Sequence, residues 1–156
     1  MSTNKFTFFL ENARFLSDKL GIVPLLYGSL GLEYLTGDAL GSDDIDILVP
    51  RVFITERWQE FKAVLEEHGY VLADEHEHTF VRDGVAYSYA DIEDLESFAG
   101  INTESIEMHE VDGVRFLLLS LEQYLAVYKK SSKDGYRVNV RQKKDADKIR
   151  FIESKL

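Results

Sequence analysis

The first twenty residues place Phe6, Phe9, Leu10, Ala13, Leu16 and Leu20 along one side of a helix, with Ser2 or Thr3 to cap it and Gly21 to stop it. The spacing then changes. Residues 22–27 form a nearly continuous apolar run ending in Gly28-Ser29, the pattern of a buried strand that delivers a tight turn. A short helix over 30–35 stops at Gly37. Beyond the loop 38–43, residues 44–49 alternate acidic and apolar before Pro50, which predicts a strand with one carboxylate face.

Further along, Thr55 opens a helix over 55–68 that buries Trp58, Phe61, Val64 and Leu65 and ends at Gly69. Asp83-Gly84 joins strands 79–82 and 85–90 into a hairpin, and Asp112-Gly113 does the same for 105–111 and 114–118. Between the hairpins, Ile92, Leu95 and Phe98 suggest a short helix. Ser120 with Gln123 forms a capping box for a helix containing Leu121, Tyr124, Leu125 and Tyr128. A last helix, over 141–153, has Ala146, Ile149 and Ile152 on its apolar side. The sequence shows no repeat or linker-like stretch. This order predicts an α+β fold, a mixed sheet flanked by helices in a single domain spanning 1–156, with a core over about 22–118 and C-terminal helices over about 120–156.

A chain of 156 residues has room for one hydrophobic core, and its 45% hydrophobic and 29% charged residues exclude a disordered or fibrous class. With no cysteine, disulfides, thiolate nucleophiles and Cys-based metal sites are excluded. The expectation is a soluble, untargeted cytoplasmic protein, because no apolar run approaches a membrane span and the first residues carry no signal pattern. A net charge of -10 argues against general nucleic-acid or membrane binding. That charge is unevenly spread. Residues 38–112 hold twenty acidic and four basic side chains, whereas 113–156 hold five acidic and eleven basic. Two solvated faces account for such a split, and so does a cation-loaded site facing a phosphate clamp.

Asp44 and Asp46 give the acidic stretch its chemistry. Carboxylates at i and i+2 of a strand share a face, and two like charges side by side call for a cation. Hard oxygen ligands suit Mg²⁺, which takes its remaining ligands from water and substrate phosphates. Gly28 and Ser29, between a strand and a helix, offer backbone N–H groups and a hydroxyl to a phosphate. Each feature also has a plainer account, as a common turn and as a charged edge strand.

An apolar strand ending in Gly28-Ser29, a short helix, and Asp44-Ile45-Asp46 on the next strand resemble the nucleotidyltransferase superfamily that includes DNA polymerase beta. Within it, the spacing is similar to that of the small bacterial lincosamide and aminoglycoside nucleotidyltransferases and of AbiEii-type proteins. The resemblance implies transfer of a nucleoside monophosphate from a Mg²⁺-bound NTP, ATP being the expected one, to a hydroxyl on a small molecule, a protein or an RNA end. It also implies a third carboxylate on a later strand, and here the chain departs from the pattern. Ser88 stands where an apolar-acidic-apolar triplet falls most naturally. Asp91 is the nearest carboxylate and the candidate third metal ligand and general base; as an alternative, it caps the following helix. With Ser88 in that position, the chain reads as a noncatalytic binding or regulatory module of toxin-antitoxin type. Lys129 and Lys144 in the basic tail are the candidate phosphate contacts, although Lys129 also suits a helix C-terminus. So short a chain leaves little for shaping an acceptor pocket, so a homodimer or protein partner is expected. His76 and His78 alternate in a way that permits a metal pair, with an exposed loop as the plainer account.

Overall fold

The computed structural model describes residues 2–132 and 141–156. Helix α1 (Ser2–Leu20) leads into strand β1 (Leu25–Tyr27), helix α2 (Gly28–Thr36) and strand β2 (Ile45–Val49). After a 3₁₀ turn over Arg51–Ile54 come α3 (Trp58–Glu67) and the strands β3 (Val71–Asp74), β4 (Thr79–Arg82) and β5 (Val85–Asp91). Helix α4 (Asp94–Ala99), a 3₁₀ turn over Thr103–Ser105, the hairpin β6 (Glu107–Val111) and β7 (Val114–Leu118), and helices α5 (Leu121–Ser132) and α6 (Arg141–Lys155) complete the chain. The seven strands make one mixed sheet in the order β3-β4-β5-β2-β1-β7-β6, so the architecture is α+β as the apolar pattern implies. Strand β2 lies at the centre, antiparallel to β1 and parallel to β5.

Helices cover both faces of this sheet. Phe9, Ala13 and Leu16 of α1 and Phe61 and Leu65 of α3 bury one face with Ile45, Ile47, Tyr87, Tyr89 and Phe116. Leu95 of α4, Tyr124 and Val127 of α5 and Ile152 of α6 bury the other with Leu25 and Leu48. Because strand side chains alternate, this second face also carries Tyr27, Asp46, Ser88 and Ala90. Among the described residues, no helix is long and apolar enough to cross a membrane.

The local signals behave as their chemistry demands. Asp83, Gly84, Asp112 and Gly113 all take positive φ, the conformation that the tight hairpin turn needs. Ser120 Oγ accepts from Gln123 N–H at 3.1 Å while Gln123 Oε1 accepts from Ser120 N–H at 2.9 Å, a reciprocal capping box. Boundaries differ where backbone chemistry intervenes. Strand β1 begins at Leu25 rather than residue 22, because Pro24 has no N–H for the ladder, although its carbonyl accepts from Leu117 N–H at 2.8 Å. Thr55 does not cap α3: its hydroxyl bonds the carbonyl of Arg51 at 2.8 Å, and the helix begins at Trp58. Strand β3, absent from the sequence reading, is an exposed edge strand whose residues show no alternation to reveal it.

Candidate functional site

Strand β1 hands the chain to α2 without a loop, and Gly28 makes the corner with φ +66°. Tyr27 pairs with Asp46 across the β1–β2 ladder, so the Asp46 carboxylate lies against the start of α2. A Cβ on Gly28 would stand 2.5 Å from Asp46 Oδ2, so only glycine allows both the left-handed turn and the approach of the carboxylate. The N-cap residue of α2, Tyr27, makes no side-chain bond to the first turn, whose backbone N–H groups lack partners within the helix itself. Asp44 precedes β2 in an exposed bend, two positions before the half-buried Asp46. Asp44 therefore lies outside the β2 ladder that would fix it on the face of Asp46, and no cluster of three His, Cys, Asp or Glu side chains suited to a metal occurs among the described residues.

The loop bearing Asp44 is fixed from below by Glu33, which is buried at 5% exposure. Its Oε2 accepts from Leu40 N–H (2.8 Å), Ser42 N–H (3.1 Å) and Ser42 Oγ–H (2.7 Å). Ser42 Oγ is also 3.0 Å from Ser29 Oγ. A hydroxyl has one proton, and Ser42 gives its own to Glu33, so Ser29 is the donor between the two serines. The Ser29 hydroxyl therefore points its proton into the loop, leaving its backbone N–H as the donor for a phosphate.

Ser88 is in parallel register with Asp46 and shares its face, while its Oγ is 2.8 Å from Thr79 Oγ1. Asp91 pairs with Val49, three positions further along and of the opposite strand parity. At 7% exposure it is held by Arg51 Nε, and its Oδ1 accepts from Glu93 N–H at 2.8 Å. Arg51 also faces Asp94 at 3.3 Å, and the bond to Asp91 raises the already high pKa of its guanidinium. The structure thus brings together Gly28, Ser29 and Asp46, with Asp44 two residues away, while Asp91 stands three register positions further along and lines, with Tyr27, the adjacent pocket. Asp91 closes the corner between β5 and α4, close to the helix-opening alternative. An open pocket of about 480 Å³ beside Tyr27 is lined by Leu48, Ala90, Leu95 and Phe98 and also by the carboxylates of Asp91 and Asp94.

Of the basic candidates, Lys129 lies in the last turn of α5 with its Nζ 4.0 Å from Glu153 of α6. Lys144 belongs to α6, but its side chain is outside the described residues. His78 takes φ +51° and meets the ring of Trp58 edge-on at 4.6 Å. Tyr124, 1% exposed, donates from its hydroxyl to the carbonyl of Gly28 at 2.9 Å. Burial pushes its phenol well above the ordinary pKa, with Tyr128, Tyr27 and Asp46 adding to the shift. Glu33, Ser42, Arg51 and the bond from Tyr124 to Gly28 escaped the sequence reading. Only Glu33, one acidic residue inside an apolar helix, carried a local signal.

This arrangement has solved counterparts. The chain matches an antigenic nucleotidyltransferase-like protein from Paracoccidioides brasiliensis with a TM-score of 0.64 at 17% identity, over 94% of this chain and 73% of that one. It matches ANT(2")-Ia in complex with adenylyl-2"-tobramycin with a TM-score of 0.62 at 15% identity, over 99% and 90% of the two chains. The fold is that of the nucleotidyltransferases. No protein-family model matches the sequence. The chain is 42% identical over 144 residues, 92% of each partner, to the uncharacterized protein YnaI of Bacillus subtilis (strain 168), and it belongs to the same family.

Proposed function

We propose that this nucleotidyltransferase-like protein binds a nucleoside triphosphate with Mg²⁺ between the Gly28-Ser29 turn and the Asp44/Asp46 pair, as a binding module without transferase activity. The observation that carries the second half is Ser88, which occupies the position in register with Asp46 where the resemblance calls for a third carboxylate. A serine hydroxyl is neither an anionic metal ligand nor a base at neutral pH. Asp91 offers no replacement, being engaged by Arg51.

Asp44 and Asp46 would hold the cation, which would neutralise charge on the phosphates. The first N–H groups of α2 would receive the outer phosphates, Ser29 through its backbone. The pocket beside Tyr27 offers apolar walls to the nucleoside, and ATP is the nucleotide to try first. Lys129 has the charge for a phosphate contact and would have to leave Glu153 to make it.

A second reading, transfer of a nucleoside monophosphate to a hydroxyl, draws on the fold neighbour ANT(2")-Ia, whose complex contains adenylyl-2"-tobramycin. Incubation with Mg²⁺ and NTP labelled at the α-phosphate separates the two. The binding reading expects label retained noncovalently by the protein and none on aminoglycosides, on RNA ends or on protein hydroxyls. Label transferred to any of these establishes the second reading.

A further inference from the structure

We infer that Tyr124 is a positioning residue of the nucleotide site, acting through the carbonyl of Gly28; this rests on the reading of the Gly28-Ser29 turn as the phosphate cradle. The phenol comes from α5, 96 residues away in sequence, and its hydroxyl donates to Gly28 O at 2.9 Å. Gly28 takes φ +66° and opens α2, so the peptide plane that follows it sits where the left-handed turn meets the first rung of the helix. That plane contains the carbonyl of Gly28 and the N–H of Ser29. In a trans peptide the two point in opposite directions. The bond from Tyr124 adds to the helix ladder's hold on the carbonyl and so helps to aim the Ser29 N–H away from α5.

The path of the phenol is cut into α2. Tyr124 is 1% exposed, and its Oη passes over Gly31, where an added methyl would collide with it and stand 2.7 Å from Leu26 O. Glycine is a poor helix former, so its presence inside α2 is accounted for by the passing hydroxyl and strand carbonyl. A ring serving only as core would need the phenyl group alone. The hydroxyl is the part that addresses the turn.

Tyr124→Phe retains the ring and deletes the bond. Isothermal titration with Mg²⁺-pyrophosphate and with Mg²⁺-ATP should show both bound about three- to ten-fold more weakly than by the wild type, the worth of one neutral hydrogen bond. The thermal midpoint, measured alongside, reports any general loss of structure. The two losses should be of the same fold, because the hydroxyl acts on the phosphate turn and not on the nucleoside, and they should persist well below the thermal midpoint. Equal affinity in wild type and Y124F, or a loss for Mg²⁺-ATP with none for Mg²⁺-pyrophosphate, overturns the role of Tyr124 alone. A wild type that binds neither ligand overturns the nucleotide reading and this inference with it.

Discussion

Glu33 is the residue on which the order of the site most depends. One buried oxygen receives three hydrogen bonds, two of them from backbone N–H groups of the loop that carries Asp44. Glu33→Ala leaves those donors without their acceptor, and the expected cost is roughly 2–4 kcal/mol in urea unfolding, with weaker Mg²⁺-nucleotide binding. At this scale the sequence was legible where chemistry is local. Gly28, Ser29 and Asp46 stand out because a turn and an alternating strand define them without reference to the rest of the fold, whereas Asp44, expected on the same strand face, lies in the bend before β2. Ser42 was hidden because its meaning comes from Ser29, thirteen positions back, and from Glu33. Asp91 shows the converse: its nearness in sequence to the expected triplet suggested a ligand, while the register places Ser88 opposite Asp46 and Asp91 is paired with Arg51 at the edge of the adjacent pocket.

Among the elements, the hairpins and the capped helix α5 were readable because Asp-Gly pairs and the Ser120/Gln123 box dictate their own backbone. Strand β3 was not, since an exposed edge strand acquires its conformation from pairing with β4 and not from an apolar face of its own. The corner between β5 and α4 likewise depends on a partner from elsewhere, the guanidinium of Arg51 at the end of β2. Arg51→Ala leaves the nearly buried Asp91 without its cation and is expected to lower the midpoint of chemical denaturation, with Mg²⁺-nucleotide affinity unchanged. A coupled loss of affinity would mean that Asp91 does serve the site. Gly31→Ala, on the other hand, should both destabilise the fold, by about 2 kcal/mol or more, and weaken binding, because its methyl would meet the strand carbonyl and the phenol together.

Across the whole molecule, the sheet's two faces do different work: one, with α1 and α3, is closed by aromatic packing, and the other carries the site under α4, α5 and α6. Both depend on neutral tyrosines. Burial raises the phenols of Tyr70, Tyr87, Tyr89 and Tyr124 above their ordinary value near 10. In the unfolded chain they ionise at that ordinary value, so stability is unaffected by them below about pH 10 and falls as pH rises above it, by about 1.4 kcal/mol per pH unit for each tyrosine that stays neutral when folded. Phenolate absorbance from these residues should therefore appear together with unfolding above pH 10. Early, noncooperative ionisation of all eight tyrosines would contradict their burial. On the proposed reading the uneven charge finds a physical place at this scale too: Asp46 lies against the start of α2, where a polyphosphate and its cation would offset one another. The most direct measurement is isothermal titration of Mg²⁺-ATP into the wild type and the D44A/D46A double variant. Saturable, EDTA-sensitive binding that falls at least ten-fold in the double variant is the expected result; binding of equal strength by both proteins, or none by the wild type, contradicts it.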